Sequence, residues 1–363
     1  MPGLFSPMKI GALTLPNRII LPPMCQYSAT DGKATNWHLM HYGQFAVSNI
    51  GMIILEASAV EPEGRITPLD LGLWNDELMQ NHQNLVSFCK DLAQTPIAVQ
   101  LGHAGRKGSA GPPWADRAAL GADNGGWQVV APSALSYDAD SPTPHAMTDE
   151  DIQRTIQNFA HAAKRADIAG YDAIEIHAAH GYLLHQFLSP LSNQRSDSYG
   201  GSLENRLRFT LETFKAVRAA FSRNKPVGVR ISGSDFVDGG WDVPSTISLS
   251  LELKKLGCDF LHISGGGLSP LQKIQLAPGY EVSMAARVKE AVNLPTIAVG
   301  LITEAELAAG IIETEQADMV AIGRAMLFNP RWAWHAAAKL GESLPAPNQY
   351  VRGAPHTAKG LFG

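Results

Sequence analysis

The chain has 363 residues, of which 45% are hydrophobic and only 17% charged, with a formal net charge of −5. A large apolar share with fewer charges than the ~25% of an average domain excludes disorder over most of the chain, and the lack of any dense Lys/Arg run argues against nucleic acid or an anionic membrane as partner. Three cysteines, Cys25, Cys89 and Cys258, are too few and too scattered for a disulfide framework or a cysteine-rich metal site. A reducing compartment follows, and with neither a signal-peptide pattern nor an apolar run long enough to span a bilayer the expected location is cytoplasmic.

In chain order, residues 4–15 (LFSPMKIGALTL) read as a short hairpin turning at Gly11-Ala12, suited to plugging one end of a larger fold. Eight short, β-branched apolar runs follow, at 18–26, 52–60, 96–105, 173–181, 227–232, 260–267, 296–302 and 319–326, most of them followed by a helix-length amphipathic segment. Nearly continuous apolarity predicts strands buried on both faces, hence a parallel sheet with helices outside. Thr148 with Asp151 and Thr303 with Glu306 have capping-box spacing and predict two helix starts. Eight alternating units with no composition break, and no G-x-G-x-x-G after the first strand, predict one α/β domain over 1–363, a single (β/α)8 TIM barrel. Its parts are an N-terminal hairpin (1–17), a barrel (18–340) and a C-terminal tail (341–363). Residues 104–147, too long and too rich in Gly and Pro for an ordinary loop, predict a lid or wall over the C-terminal face.

Barrel chemistry sits at the C-terminal ends of the strands. The first run ends Pro22-Pro23-Met24-Cys25-Gln26-Tyr27, where Cys25 and Tyr27, two apart, are expected on one side; the plain alternative is a small buried thiol beside a core tyrosine. The fourth run ends H-A-A-H-G-Y. His177 and His180, three apart, cannot share a face of a regular strand, so the chain must already be turning there. Three readings stay open: core or capping histidines; metal ligands, with His103, Glu56 and Glu175 as the further candidates; or a neutral pair binding a substrate oxygen beside Tyr182, whose phenol holds a proton at neutral pH and can deliver it to a carbanion. Arg230, in a buried strand, demands an anionic partner, either Glu175 or Glu56 as a structural ion pair or a bound ligand. Gln100 can offer paired amide hydrogen bonds to a planar heterocycle. Gly300, Gly323 and Arg324, after the last two strands, fit the usual barrel phosphate site.

Taken together, PPMCQY (22–27), EASAVEPEGRIT (56–67), QLGHAGRK (100–107), HAAHGYLLHQFLSPLSNQRSDSYGGSLENR (177–206), AIGRA (321–325) and PNQYVRG (347–353) make the chain resemble the Old Yellow Enzyme family of flavin-dependent ene-reductases, in particular its bacterial xenobiotic-reductase, or thermophilic-like, branch. The resemblance runs through essentially the whole chain. It implies an FMN barrel that takes hydride from NADPH, or less readily NADH, and passes it to activated alkenes such as enones, maleimides and nitroalkenes. By similarity Pro22, Pro23, Met24, Cys25 and Ala57 would line the flavin, Gln100 its pyrimidine ring and Arg230 its N1–C2 edge, while Gly300, Gly323 and Arg324 would hold the phosphate. His177 and His180 would bind the substrate's carbonyl or nitro oxygen, with Tyr182 as proton donor, Cys25 tuning the flavin and Tyr27 closing the pocket. The tail resembles segments that send an arginine into a neighbouring subunit, which makes Arg352 a substrate-site candidate in trans within a homodimer or homotetramer; a disordered tail is the alternative. Val299 stands where some relatives have tryptophan, and the cysteine count excludes the iron–sulfur cluster of the larger dienoyl-CoA reductase relatives. A metal-dependent barrel hydrolase or lyase and a non-catalytic flavin-binding protein are the competing functions.

Overall fold

The computed structural model describes residues 3–362; Met1, Pro2 and Gly363, the ends of the expected hairpin and tail segments, lie outside the described residues. The chain opens with the hairpin β1 (Met8–Ile10) and β2 (Leu13–Leu15), paired antiparallel around Gly11-Ala12. The barrel units follow: β3 (Ile19–Leu21), α1 (Asn36–Ala46), β4 (Met52–Ala59), α2 (Asp76–Leu92) and β5 (Ile97–Gly102). After the long segment carrying β6 (Val130–Ala131) and β7 (His145–Ala146) come α3 (Asp149–Ala169), β8 (Ala173–Ala178), α4 (Leu183–Leu188), α5 (Leu203–Ala220), β9 (Val227–Ser232) and α6 (Val243–Lys255). The last units are β10 (Phe260–Ser264), α7 (Val282–Val292), β11 (Thr296–Ala298), α8 (Ala305–Glu313), β12 (Met319–Ala321), α9 (Arg324–Phe328) and α10 (Trp332–Leu340). Strands β3, β4, β5, β8, β9, β10, β11 and β12 close into a parallel barrel in that order, each at one of the eight expected runs.

The apolar runs are continuous because each strand face meets a different core. On β4, Ile53 and Leu55 pack outward against the helices, whereas Met52 and Ile54 point into the barrel with Ile20, Ala98, Phe260, Ile297 and Met319. Hairpin residues Ile10 and Leu15, both fully buried, complete this inner cluster and plug the N-terminal mouth. Gly228 is required here because a Cβ on it would collide with the Phe260 ring that fills the same layer.

The Thr148–Asp151 capping box forms, with Thr148 Oγ1 accepting from Asp151 N at 3.2 Å and Asp151 Oδ2 accepting from Thr148 N at 2.9 Å. The box expected at Thr303 and Glu306 does not. Helix α8 begins one residue later, with Glu304 at the cap position, and Glu306 turns instead to Lys339 of α10, 2.8 Å away. The 104–147 segment is a wall over the C-terminal face. Arg106 holds it down by donating to the carbonyls of Leu135, Ser136 and Leu268 at 3.0–3.2 Å. The tail is ordered: Tyr350 and Phe362 stack edge-on against Trp334 at 5.6 and 4.9 Å, and Leu361 is buried. Replacing the plug residue Leu15 by Ala removes a fully buried side chain from a closed cluster and is expected to cost about 2–5 kcal/mol, read as a lower denaturation midpoint at unchanged m-value.

Candidate active site

The first strand stops at Leu21, so Cys25 and Tyr27 are not on a pleated strand, and strand alternation is not what brings them to the mouth. The segment after it has no regular structure, and Tyr27 turns the chain with φ +49°. What anchors it is Glu56, the extra residue in a bulge between Leu55 and Ala57 of β4. Its Oε2 accepts from the Gln26 backbone N–H at 2.8 Å and its Oε1 from the Tyr42 hydroxyl at 3.0 Å, with His38 Nε2 3.4 Å away. Glu56 therefore faces α1 and is neither the ion-pair partner of Arg230 nor part of a metal site. Burial, reinforced by Asp70 and Glu56, pushes the Cys25 thiol up, and the Ala57 backbone N–H contacts it. Tyr27 meets the lid: its ring lies edge-on to Trp114 at 5.9 Å and its hydroxyl accepts from Arg117 at 3.5 Å.

At the end of β8 the chain does turn. His180 (φ +59°) and Gly181 (φ +74°) are both left-handed, and a Cβ on Gly181 would strike the Gly267 carbonyl. A buried network holds the turn: His185 Nδ1 accepts from Gly181 N at 2.9 Å, its Nε2 lies 2.9 Å from Asp235 Oδ1, and Ser189 donates to the other oxygen of that carboxylate at 2.6 Å. The result gathers His177, His180 and Tyr182, with ring centroids 5.2 Å (His177–His180) and 4.9 Å (His177–Tyr182) apart. His177 Nδ1 accepts from Ala179 N, which leaves Nε2 as its donor. His180 Nε2 is 2.8 Å from Ser264 Oγ, which also lies 3.4 Å from Glu281 Oε2, so Nδ1 carries the proton only when that hydroxyl donates to the ring and not to Glu281. Burial first and Arg230 second hold both imidazoles well below the usual histidine range, and burial pushes the Tyr182 phenol well up. The trio is two neutral imidazoles beside a protonated phenol. His177 and Tyr182 share their pocket with Ala57.

Arg230 pairs in register with His177 of β8 and His262 of β10 and is 8% exposed. The expected ion pair with Glu175 is not made: Glu175 instead accepts from Gln100 Nε2 at 2.7 Å and contacts His262 Nδ1 at 2.7 Å. Among the described residues no carboxylate lies within 4.0 Å of Arg230, and its buried Nε has no hydrogen-bond partner. A cation in this state has donors to spare for an anionic ligand. It opens into a cleft lined also by Pro22, Pro23, Met24, Val299, Gly300, Gly323 and Arg324, so seven predicted cofactor residues converge on one space. Gly300 adopts φ +113° and α9 starts at Arg324, and both line this cleft. A lining that combines two arginines, two prolines, a thioether and a glycine turn suits a planar, electron-accepting heterocycle with a phosphate tail. Gln100, buried with its amide on Glu175, is not among the residues that line this cleft.

The sequence profile of the NADH:flavin oxidoreductase / NADH oxidase family matches residues 3–342. The chain belongs to this family. It is 44% identical over 352 residues to the NADPH dehydrogenase of Bacillus subtilis (strain 168), covering 96% of this chain and 98% of that protein. Identity to the NADPH dehydrogenase of Geobacillus thermodenitrificans is 42% over the same shares. Among solved structures, morphinone reductase in complex with tetrahydroNAD matches with a TM-score of 0.79 at 29% identity, over 100% of this chain and 95% of its own. A 2-naphthoyl-CoA reductase shares the fold at TM-score 0.84 and 22% identity, over 94% of this chain and 52% of its own. The protein is a flavin-dependent oxidoreductase, with FMN as cofactor and a reduced nicotinamide nucleotide as hydride donor.

Arg352 falls elsewhere in this flavoenzyme, and His103, which lines the His177 pocket, is engaged with another partner, as are Glu56 and Glu175. Arg352 lies exposed on the Asn348–Gly353 turn and is not among the residues lining the cleft or the His177 pocket. His103 lies 2.8 Å from Glu61, and Glu56 and Glu175 have the partners given above, so the further ligands considered for a metal at His177 and His180 are engaged elsewhere. Among the described residues no three His, Cys, Asp or Glu side chains are placed to hold a metal ion. Sequence reasoning missed Ser264 and Glu281 beside Arg230 and, above all, Lys107, which donates to the carbonyls of His180 and Gly267 at 2.9 and 2.8 Å with its ammonium 5.1 Å from the Tyr182 ring centre. Lys107 ends the motif QLGHAGRK, and a lysine just past a buried strand was the available signal. Because the Cys25 thiol is held neutral, iodoacetamide at neutral pH is expected to label it at least about tenfold more slowly than a free cysteine; mass spectrometry of Cys25 peptides reads this, and rapid labelling contradicts it.

Proposed function

We propose that the protein is an NAD(P)H-dependent ene-reductase acting on activated alkenes: enones, maleimides and nitroalkenes. The observation that carries this is the adjacency of two sites, the Arg230 cleft suited to a flavin and the trio of two neutral imidazoles and one protonated phenol beside it. When bound, FMN supplies the redox chemistry, taking hydride from the nicotinamide nucleotide and giving it to the alkene's β-carbon. Pro22, Pro23, Met24, Cys25 and Ala57 would line it, Gln100 and Arg230 would bind its pyrimidine end, and Gly300, Gly323 and Arg324 would hold its phosphate.

His177 Nε2–H, and His180 Nδ1–H when Ser264 donates to its ring, bind the carbonyl or nitro oxygen and draw electron density from the double bond. Neutral imidazoles polarise that oxygen without surrendering a proton to it, which leaves protonation to Tyr182. Its phenol retains its proton until the α-carbon becomes basic enough to take it. Tyr27 closes the pocket against the lid. Arg352, outside its own subunit's cleft, acts on substrate only if a neighbouring copy receives the tail, as a homodimer or homotetramer would allow. The relatives named NADPH dehydrogenase support NADPH as the preferred donor.

Protein reconstituted with FMN should lose its flavin absorption band under NADPH and regain it on adding 2-cyclohexenone; a band that NADPH leaves unbleached refutes the reading in favour of passive flavin binding. Tyr182→Phe is expected to slow alkene reduction by about 10²–10⁴-fold while flavin reduction by NADPH stays within about threefold, and equal loss in both half-reactions in stopped flow refutes the proton-donor role. Arg352→Ala should raise KM for 2-cyclohexenone in oligomeric enzyme; unchanged kinetics assign the tail to the surface alone.

A further inference from the structure

Above Tyr182, under the lid, lies a second cavity of about 290 Å³ that the proposed chemistry leaves unused. Its walls include Arg106, Lys107 and Arg117, together with Tyr137 and Tyr182. The Lys107 ammonium sits between the two aromatic rings, 4.9 Å from the centre of Tyr137 and 5.1 Å from that of Tyr182. Two of its hydrogens go to the carbonyls of His180 and Gly267, and the third has no partner among the described residues. Arg106 is 6% exposed and its Nε has no hydrogen-bond partner. Arg117 follows Asp116 with both in left-handed conformation (φ +54° and +51°), a turn that carries it to the Tyr27 hydroxyl.

None of these three cations has a carboxylate within 4.0 Å among the described residues, whereas partly buried lysines elsewhere do: Lys90 on Asp172 at 2.8 Å and Lys225 on Asp167 at 2.7 Å. Two acids also line the cavity. These are Asp116 and Asp138, the latter accepting from Ser141 Oγ at 2.7 Å and Asp140 N at 3.1 Å, so three cations face two carboxylates and the wall keeps a positive excess. Burial first, then Arg117 and Arg106, bring Lys107 down to about 7, so an anion in the cavity would favour its charged form. Like charges around a cavity with unused donors are stabilised by an anion between them.

We propose that this cavity is a subsite for an anionic group, a carboxylate or phosphate, carried by a ligand that also occupies the His177–Tyr182 pocket. The inference rests on the ene-reductase reading in taking that pocket as the place where substrate and nicotinamide nucleotide bind in turn. Tyr182 and Ile66 line both spaces, which sets them side by side. Two sources share the required chemistry: a carboxylate on the alkene substrate, and a phosphate of the nucleotide.

Arg117→Ala, an exposed lid position, is compared with wild-type FMN-loaded enzyme using 2-cyclohexenone with and without a carboxylate on C5, and using NADPH and NADH. A fall of at least about tenfold in the carboxylate-to-neutral ratio of kcat/KM, the loss expected for one charge-assisted hydrogen bond, identifies the substrate as the source. The same fall in the NADPH-to-NADH ratio alone identifies the nucleotide, and partial rescue by Arg117→Lys supports either. Calorimetry of the holoenzyme with 3-oxocyclohexanecarboxylate and with 2′,5′-ADP needs no turnover. Weaker binding of either ligand to Arg117→Ala supports the subsite even if no alkene is reduced, in which case only the ene-reductase reading fails. If alkenes are reduced but neither ratio nor either affinity changes, the subsite is overturned and the function stands.

Discussion

The site depends on a positive charge buried in a barrel strand with no carboxylate in ion-pair reach. Arg230 lies between His177 and His262 in register, and the nearby carboxylate of Glu175 is already committed to Gln100 and His262. A structural salt bridge would neutralise the cation and close the space, whereas an arginine left with unused donors makes the cleft receptive to a ligand that carries or acquires negative charge. The same charge contributes to keeping His177 and His180 uncharged. One residue would therefore support two proposed roles, a receptive end for the flavin and a pair of imidazoles kept neutral.

Around this charge the barrel works as a rigid frame with its specificity in the segments leaving it. The H-A-A-H-G-Y turn is held from beneath by His185, Asp235 and Ser189, all buried and none placed to touch substrate. The segment after β3 is tied to α1 through Glu56, a carboxylate made available by a bulge in β4. The lid meets Tyr27 through Trp114 and Arg117 and Tyr182 through Lys107. The proposed catalytic positions thus sit on short turns held by buried hydrogen bonds, and the wall above them lies on the longest insertion.

Much of the site was legible because its residue types are costly where they stand. An arginine in a strand buried on both faces, two histidines at a spacing no strand can place on one side, and glycines after the final strands each stood out against an apolar background. The partnerships were not legible. Glu56 and Glu175 were equally good counter-ions for Arg230 on paper, and neither takes that role; Glu56 faces the opposite side of its strand because a bulge adds one residue, which side-chain periodicity does not reveal. The Thr303–Glu306 spacing failed for a comparable reason, since a lysine on another helix outcompetes a local cap.

The sequence by itself determined the eight barrel strands, their burial on both faces, the plug and the lid, because these follow from local composition and spacing, while the flavin roles of its residues followed from resemblance to a family. Only the tertiary structure decided which charges are satisfied and which are left open. Whether a carboxylate falls at 2.7 Å from a histidine or within reach of an arginine depends on register between strands far apart in sequence, and so does the gathering of Arg106, Lys107 and Arg117 around one cavity with Tyr182 as its wall.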